Sequence, residues 1–220
     1  GIAHFLAELF VDKNDLVFEP FTGVGTIPFE LAQRGIKTVS LDVNPIAYTV
    51  SLAKLKVQDK SKITKQTEEL SKFIQTGKLN KSDYEYADEY IKRFYHDDTL
   101  KEILLAIKFF REKDQSYSFL KACLLHILHG NRPYALSRTS HNVTPYAPRG
   151  DFIYKSLIKS LSEKVDRMFE DPLSNNFMEG EVFLGNILDF NYPKKFDKII
   201  TSPPFINSTR FLYNNRIRLW

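Results

Sequence analysis

Short apolar runs alternate with helix-like stretches near the start of the chain. Apolar residues recur at helical spacing over 3–11 and 27–34, and a short apolar run at 15–18 lies between them. An alternating, β-branched run over 37–42 predicts a second strand, and a further helical stretch extends from 46 to about 55. Strands alternating with helices in this way indicate a doubly wound, Rossmann-like α/β sheet.

The pattern changes over residues 56–176, where charged, helix-favouring stretches dominate. Long apolar runs at helical spacing lie within 101–130, and an amphipathic helix is predicted over 151–169. The loop between them, 131–150, is rich in Pro, Arg, Ser, Thr and His. We interpret 56–176 as a helical insertion and a possible target-recognition region.

Strand-like sequence returns at 181–187 and 196–201. The predicted core therefore has two parts, a first half over 1–55 and a second half over 177–220. A doubly wound sheet usually has five or more strands, so we expect its C-terminal strands to be absent from this chain. Either a missing C-terminal segment or a complementing chain would then complete the sheet.

Composition narrows the class of protein. The chain has 220 residues, an apolar fraction of 43% and a net charge of +4, which suit a packed domain and permit a polyanionic partner. One cysteine allows no intrachain disulfide, and no apolar run is long enough to span a membrane. We expect a cytoplasmic protein whose first residue, not a methionine, marks a trimmed or tagged end.

A glycine-containing turn follows the first predicted strand. It reads Glu19-Pro20-Phe21-Thr22-Gly23-Val24-Gly25-Thr26. Its glycines allow close approach of a ligand, and Asp42, at the end of the next strand, can accept both hydroxyls of a ribose. Pro28 replaces the third glycine of a dinucleotide motif, and Glu19 would repel a pyrophosphate but attract an ammonium or sulfonium group. An ordinary tight turn is the alternative.

The last predicted strand enters a second unusual loop, Ser202-Pro203-Pro204-Phe205. The prolines fix φ and remove two backbone donors, so the loop can neither form a helix nor pair as a strand. Its carbonyls and the Ser202 hydroxyl can accept hydrogen bonds while Phe205 presents a flat ring. This suits a planar ring that carries an amino group, although a simple proline turn is the alternative.

These loops together resemble the S-adenosylmethionine-dependent amino-methyltransferases. The resemblance rests on Glu19 to Thr26, on Asp42-Val43-Asn44-Pro45-Ile46-Ala47 and on Thr201 to Phe205, within residues 3–55 and 181–206. DNA methyltransferases that modify cytosine N4 or adenine N6 are similar in these motifs. The family more often has Asp at the position of Glu19, and often Gly-Asp where this chain has Gly185-Asn186.

The resemblance implies S-adenosylmethionine as cofactor and DNA as partner. The implied cofactor-binding residues are Glu19, Pro20, Phe21, Thr22, Gly23, Gly25, Thr26, Asp42, Asn44 and Asn186. The implied catalytic loop is Ser202, Pro203, Pro204 and Phe205, which would grip the amine of a flipped base.

The serine at position 202 resembles the cytosine-N4 enzymes more than the adenine-N6 enzymes, and this resemblance implies cytosine N4 as the target. Three alternatives stay open: adenine-N6 methylation of DNA, guanine-N2 methylation of tRNA, and a non-catalytic nucleic-acid-binding module that keeps the cofactor fold.

Four arginines are candidate nucleic-acid contacts: Arg132 and Arg138 in the loop, and Arg210 and Arg216 after the Pro-Pro sequence. Solvated loop positions or local ion pairs are the alternatives. No metal site is expected, because His126 and His129 have no third ligand nearby in the sequence.

Cys123 lies in an apolar helical stretch, and we interpret it as a core residue. Cytosine-C5 chemistry, which needs a nucleophilic cysteine, is therefore not expected.

Overall fold

The computed structural model describes residues 1–141, 144–204 and 215–218. Contacts divide the chain into two units. The first contains Gly1–Gln58 and the described residues from Pro172 onward to 204, and the second contains Asp59–Asp171 and residues 215–218. The second unit is thus inserted into the first.

The first unit is an α/β domain with a four-stranded, all-parallel sheet. Its elements are α1 (Ile2–Phe10), β1 (Leu16–Glu19), α2 (Thr26–Gln33), β2 (Lys37–Asp42), α3 (Pro45–Lys54), β3 (Glu181–Leu184) and β4 (Lys198–Ile199). The strand order is β3-β2-β1-β4, the order of the first four strands of a Rossmann sheet. The α/β class and the parallel sheet are therefore confirmed, and they are compatible with a Rossmann-like fold.

The two faces of the sheet have different cores. Alternation along β1 sends Val17 to one face, where it packs with Ala7 of α1 and Leu31 of α2. Phe18 points to the other face and stacks with Phe190 and Phe196, whose ring centroids lie 5.4 and 4.5 Å away. The connection from β3 to β4 contains no helix among its residues, all of which are described, and covers this face with aromatic side chains.

Both later strands are shorter than the sequence predicts. β3 ends at Leu184, because Gly185 turns and donates its N–H to the Asp42 carbonyl at 3.0 Å. β4 is limited to its pairing with Val17 and Phe18 of the short strand β1. It lies at an edge of the sheet, and Ile199 is 63% exposed.

The second unit is helical. Its helices are α4 (Lys60–Thr76), α5 (Lys81–Glu85), α6 (Glu89–Lys92), α7 (Asp97–Arg111), a 3₁₀ turn (Gln115–Tyr117), α8 (Ser118–Ile127) and α9 (Leu157–Met168). Ile63, Ile103 and Leu120 are among its buried residues. Cys123 also lies in this core, as predicted, and burial raises the pKa of its thiol to about 12.

Helices α4 and α9 of this unit meet at their outer ends. Lys60, at the start of α4, forms an ion pair of 3.2 Å with Asp166 near the end of α9. The same ammonium lies 5.8 Å from the centroid of the Phe169 ring. The two points at which the chain enters and leaves the second unit are therefore neighbours.

Residues 215–218 are helical and belong to the second unit, whereas the sequence analysis placed 177–220 in the core. Arg218 explains the difference, because its guanidinium donates to the carbonyls of Leu125 and His129 at 3.0 and 3.3 Å. These carbonyls lie at the C-terminal end of α8, where a cation is favourable.

In the described part of the chain, no helix combines the length and apolar character that crossing a bilayer requires.

Candidate functional site

The candidate site lies where strands of the parallel sheet end in polar residues. Glu19 ends β1, Asp42 ends β2, and Thr201 follows β4 by two residues. The strand order reverses between β1 and β4, since β2 and β3 lie on one side of β1 and β4 on the other. In open parallel sheets, ligands bind outside the carboxyl ends of the strands at such a reversal.

The glycine turn depends on two left-handed residues. Gly23 has φ of +54° and Gly25 has φ of +72°. A Cβ on Gly25 would lie 2.8 Å from Ser51 Oγ and 3.2 Å from Ser51 Cα, so this glycine also allows α3 to pack against the turn. A Cβ on Gly23 would meet no atom within 4 Å. The turn therefore borders open space at Gly23.

Asp42 ties this turn to the end of β2. Its two carboxylate oxygens accept the N–H of Gly23 at 2.8 Å and the N–H of Asn44 at 2.9 Å. Each oxygen keeps a further lone pair, so the carboxylate can still accept hydrogen bonds from a ligand. Asn44 has a structural role, because its side chain accepts from the Ile46 N–H and caps α3.

Glu19 is a buried acid, with 2% of its surface exposed. Its carboxylate accepts a hydrogen bond from the Phe21 N–H at 3.3 Å and also interacts with the side chain of Thr201, which is exposed. Burial raises the pKa of Glu19; those two interactions oppose the increase, and the nearby charge of Asp42 adds to it. A cation bound nearby would offset the cost of this buried charge.

The other residues of the glycine turn differ in exposure. Pro20 is buried, whereas Phe21 and Val24 are 37% and 53% exposed. Thr22 is 7% exposed, and its hydroxyl has no hydrogen-bond partner among the described residues. Thr26 is exposed and begins α2, whose N-terminus receives no side-chain cap from any described residue. Unpaired donors and an exposed ring thus surround the turn.

The Ser-Pro-Pro loop is carried to the same edge by β4. Ser202, Pro203 and Pro204 are all exposed and directly follow Thr201. The Ile200 N–H donates to the Phe18 carbonyl at 3.2 Å, which continues the pairing with β1 up to this loop. Phe205 lies outside the described residues.

Asn186 is placed beside Asp42 through its neighbour Gly185, which donates to the Asp42 carbonyl. Its side-chain oxygen accepts the Leu188 N–H at 3.1 Å and closes a local turn. Leu188 is 86% exposed. Asn186 thus organises the loop after β3 at the carboxyl edge.

The candidate arginines that the structure describes lie in the second unit. Arg132 donates to the Tyr134 hydroxyl at 2.6 Å. Arg138 donates to the carbonyls of Arg93 and Gly150, which gives its guanidinium a structural role. Arg216 forms an ion pair with Asp88, and Arg210 lies outside the described residues. Nucleic-acid binding by these residues stays a prediction.

Sequence reasoning missed the structural roles of Thr201 and Ser51. Thr201 belongs to the motif that carries the resemblance but has no role of its own there, yet its side chain interacts with the Glu19 carboxylate. Ser51 is fully buried and donates to the Gly23 carbonyl at 2.9 Å. The signals in the sequence are the position of Thr201 directly before the Ser-Pro-Pro loop and the position of Ser51, a small polar residue within an apolar helix.

The described residues contain no cluster of three or more metal-ligating side chains. No protein-family model, curated protein or solved structure matches this chain.

Proposed function

We propose that the first unit binds S-adenosylmethionine and transfers its methyl group to the exocyclic amine of a DNA base, with cytosine N4 as the favoured target. The observation that supports this most is the pairing of β1 with β4, continued by the Ile200 N–H, which donates to the Phe18 carbonyl at 3.2 Å. It joins the strand that enters the glycine turn to the strand that enters the Ser-Pro-Pro loop, at the reversal point of the sheet. A cofactor site and an amine-gripping loop would then be adjacent.

The residues at the turn fit a cationic, ribose-bearing cofactor. Open space at Gly23 and the uncapped N-terminus of α2 leave room and donors for its polar groups. The Thr22 hydroxyl is a further unpaired donor. Asp42 would accept the ribose hydroxyls, and the buried charge of Glu19 would favour the ammonium or sulfonium group. Asn186 would lie near the adenine.

The catalytic loop would act by positioning. The exocyclic amine is a weak nucleophile because its lone pair is delocalised into the ring. Ser202 Oγ and the Pro203 carbonyl would accept hydrogen bonds from its two N–H groups and so orient the nitrogen, while Pro204 keeps the loop from pairing and Phe205 stacks on the flipped ring. When bound, the cofactor would supply an electrophilic methyl group: the S–C bond of the sulfonium breaks as the N–C bond forms, a neutral thioether is left, and the nitrogen releases one proton to solvent.

The cofactor assignment is tested by equilibrium binding of labelled S-adenosylmethionine to Gly23→Asn. Asparagine tolerates a left-handed backbone, so its side chain should fill the open space without unfolding the turn. We expect binding to fall at least tenfold, a loss of about 1.4 kcal/mol. Gly150→Asn is the matched control, because Gly150 has φ of +83° and equally open space but lies in the second unit. Equal binding by both variants would refute the assignment.

Catalysis is tested by methyl transfer to duplex DNA, single-stranded DNA and tRNA, with the modified base identified chromatographically. We expect N4-methylcytosine from DNA, and a large loss in Ser202→Ala but not in the exposed Ser61→Ala. Methylated guanine in tRNA, or activity that Ser202→Ala leaves intact, would contradict the assignment. Cofactor binding without turnover on any nucleic acid would instead favour a non-catalytic binding module.

A further inference from the structure

Three aromatic rings of the second unit each lie against a cationic or ionisable side chain. The Arg138 guanidinium lies 4.1 Å from the centroid of Phe152, and Arg216 lies 4.2 Å from that of Tyr90. His141 stacks on Tyr146, with ring centroids 5.5 Å apart and an interplanar angle of 14°. Phe152 and Tyr146 are 51% and 50% exposed. Both rings therefore have one partner and still present half of their surface to solvent.

A backbone bridge and side-chain hydrogen bonds to backbone atoms connect the three pairs. The segment around Arg138 is linked to the segment before Phe152, because Thr139 forms a β-bridge with Arg149. The next residue, Ser140, accepts the Tyr146 N–H at 3.1 Å and donates to the Tyr146 carbonyl at 2.9 Å. The hydroxyl of Tyr90 donates to the carbonyl of Pro145, which precedes Tyr146. We call this continuous region the stacked surface, formed by Tyr90, Arg138, His141, Tyr146, Phe152 and Arg216.

The half-buried Lys155 and the buried His129 anchor the stacked surface, although it lies mostly on irregular chain. Lys155 donates to the carbonyls of Ala135 and Ser137 at 2.6 and 2.9 Å. The His129 ring bonds to the His141 carbonyl at 2.8 Å. Because these contacts already hold Ser137 and His141, a ligand would lose little free energy in ordering the residues beside them.

The charge of this region favours a polyanion. Residues 131–154 contain three arginines and one aspartate. Within the part of the chain that the structure describes, Arg138 and Arg149 form no salt bridge with a carboxylate. Exposed rings interleaved with arginines bind single-stranded nucleic acid, since bases stack on the rings and phosphates pair with the cations.

We infer that the stacked surface binds a DNA strand, with unpaired bases on Tyr146 and Phe152 and phosphates at the adjoining Arg149, which is exposed and bridges to Thr139. The choice of DNA rests on the proposed function, which requires a base outside the duplex. The rings and cations are observed independently of the cofactor site, so the surface and the cofactor assignment can fail separately.

The test is fluorescence anisotropy of a labelled, mixed-sequence DNA strand, titrated at several salt concentrations. Phe152→Ala and Tyr146→Ala should each weaken binding by roughly tenfold to a hundredfold, because each removes one stacking platform. Phe152→Trp should preserve binding. Arg149→Gln should weaken binding and also reduce its dependence on salt.

Tyr86→Ala is the matched control, since Tyr86 is 45% exposed and stacks with Arg111 outside the stacked surface. It should bind like the unmodified protein. The inference is overturned if the Phe152 and Tyr146 variants keep full affinity while folded, as judged by circular dichroism. It is also overturned if an RNA strand of the same sequence binds tenfold more tightly.

Binding of labelled S-adenosylmethionine to the same variants separates the two proposals. If the variants bind the cofactor normally but no longer bind the DNA strand, both the stacked surface and the proposed function are supported. Lost strand binding in a protein that never binds the cofactor supports the stacked surface and refutes the proposed function.

Discussion

The Ile200 N–H donates a hydrogen bond to the Phe18 carbonyl at 3.2 Å. Phe18 lies one residue before the end of β1 and Ile200 directly follows β4, so the bond connects the ends of adjacent strands. One strand continues into the glycine turn and the other into the Ser-Pro-Pro loop. The two loops therefore begin side by side at the carboxyl edge of the sheet.

Replacing Thr201 by valine should destabilise the first unit by about 0.5–1.5 kcal/mol, because the exposed Thr201 side chain favours the charged form of the Glu19 carboxylate. Loss of this interaction should also move the pKa of Glu19 further upward, since the interaction holds it down. Denaturant unfolding measures the first effect. Thr76→Val is a suitable control, as the Thr76 hydroxyl bonds only within its own helix. Equal stabilities of the two variants would show that the contact contributes nothing.

Replacing Glu19 by glutamine should stabilise the fold at neutral pH but weaken cofactor binding. Burial raises the pKa of Glu19 above its ordinary value of 4.5, so the folded state binds the proton more tightly than the unfolded state. Ionisation therefore costs stability as the pH rises above 4.5, and glutamine avoids that cost. Unfolding followed across pH should show an advantage for the variant that vanishes below about pH 4.5. A constant difference at all pH values would argue against this explanation.

Gly25→Ala should destabilise the first unit by about 1–3 kcal/mol, because it combines a left-handed backbone with a clash against Ser51. Ser51→Gly removes the Oγ and Cβ atoms that the new methyl would meet. The cost of Gly25→Ala should therefore be smaller in the Ser51→Gly background, as a double-mutant cycle on unfolding free energies would reveal. If the free-energy changes of the two substitutions simply add, the Ser51 side chain contributes nothing to the cost of Gly25→Ala and backbone strain explains it.

The second unit should lose stability in mild acid because of His129. Burial lowers its pKa below the ordinary value of 6.5, and the charge of Arg218 contributes in the same direction. The unfolded chain then binds the proton first, so stability falls as the pH drops through 6.5 toward the lowered pKa. His129→Gln can still donate to the His141 carbonyl and should reduce this dependence. The measurement is the unfolding midpoint of the unmodified protein and of His129→Gln between about pH 5 and 8. If the two midpoints change in parallel with pH, His129 is not the cause.

The sequence predicted what local signals determine. Strand β2 has the predicted bounds, Lys37–Asp42, and helix α3 begins at Asn44-Pro45 as expected. These elements depend on apolar alternation, a cap and a proline, all within a few residues. The Thr201–Glu19 contact could not be predicted in this way, because it requires the pairing of β1 with a strand from the far end of the chain.

The predicted helix over 151–169 shows a different limit. The helix begins at Leu157, where Ser156 caps it and Glu102 accepts the Leu157 N–H at 2.6 Å. Phe152 and Ile153 precede it and are exposed, although their apolar character extended the helical pattern. Periodicity does not distinguish an apolar side chain in a core from one displayed to solvent.

The ion pair between Lys60 and Asp166 has a consequence for folding. Strands β2 and β3 pair with each other, yet α3 and residues 59–171 of the second unit separate them in the chain. Closing so long a segment as a flexible loop would carry a substantial entropic cost and slow assembly of the sheet. Once the helices fold with α4 and α9 adjoining at their ends, the connection between β2 and β3 becomes effectively short. If the second unit folds before the sheet assembles, the large insertion adds little more entropic cost to the pairing of β2 with β3 than a short loop would.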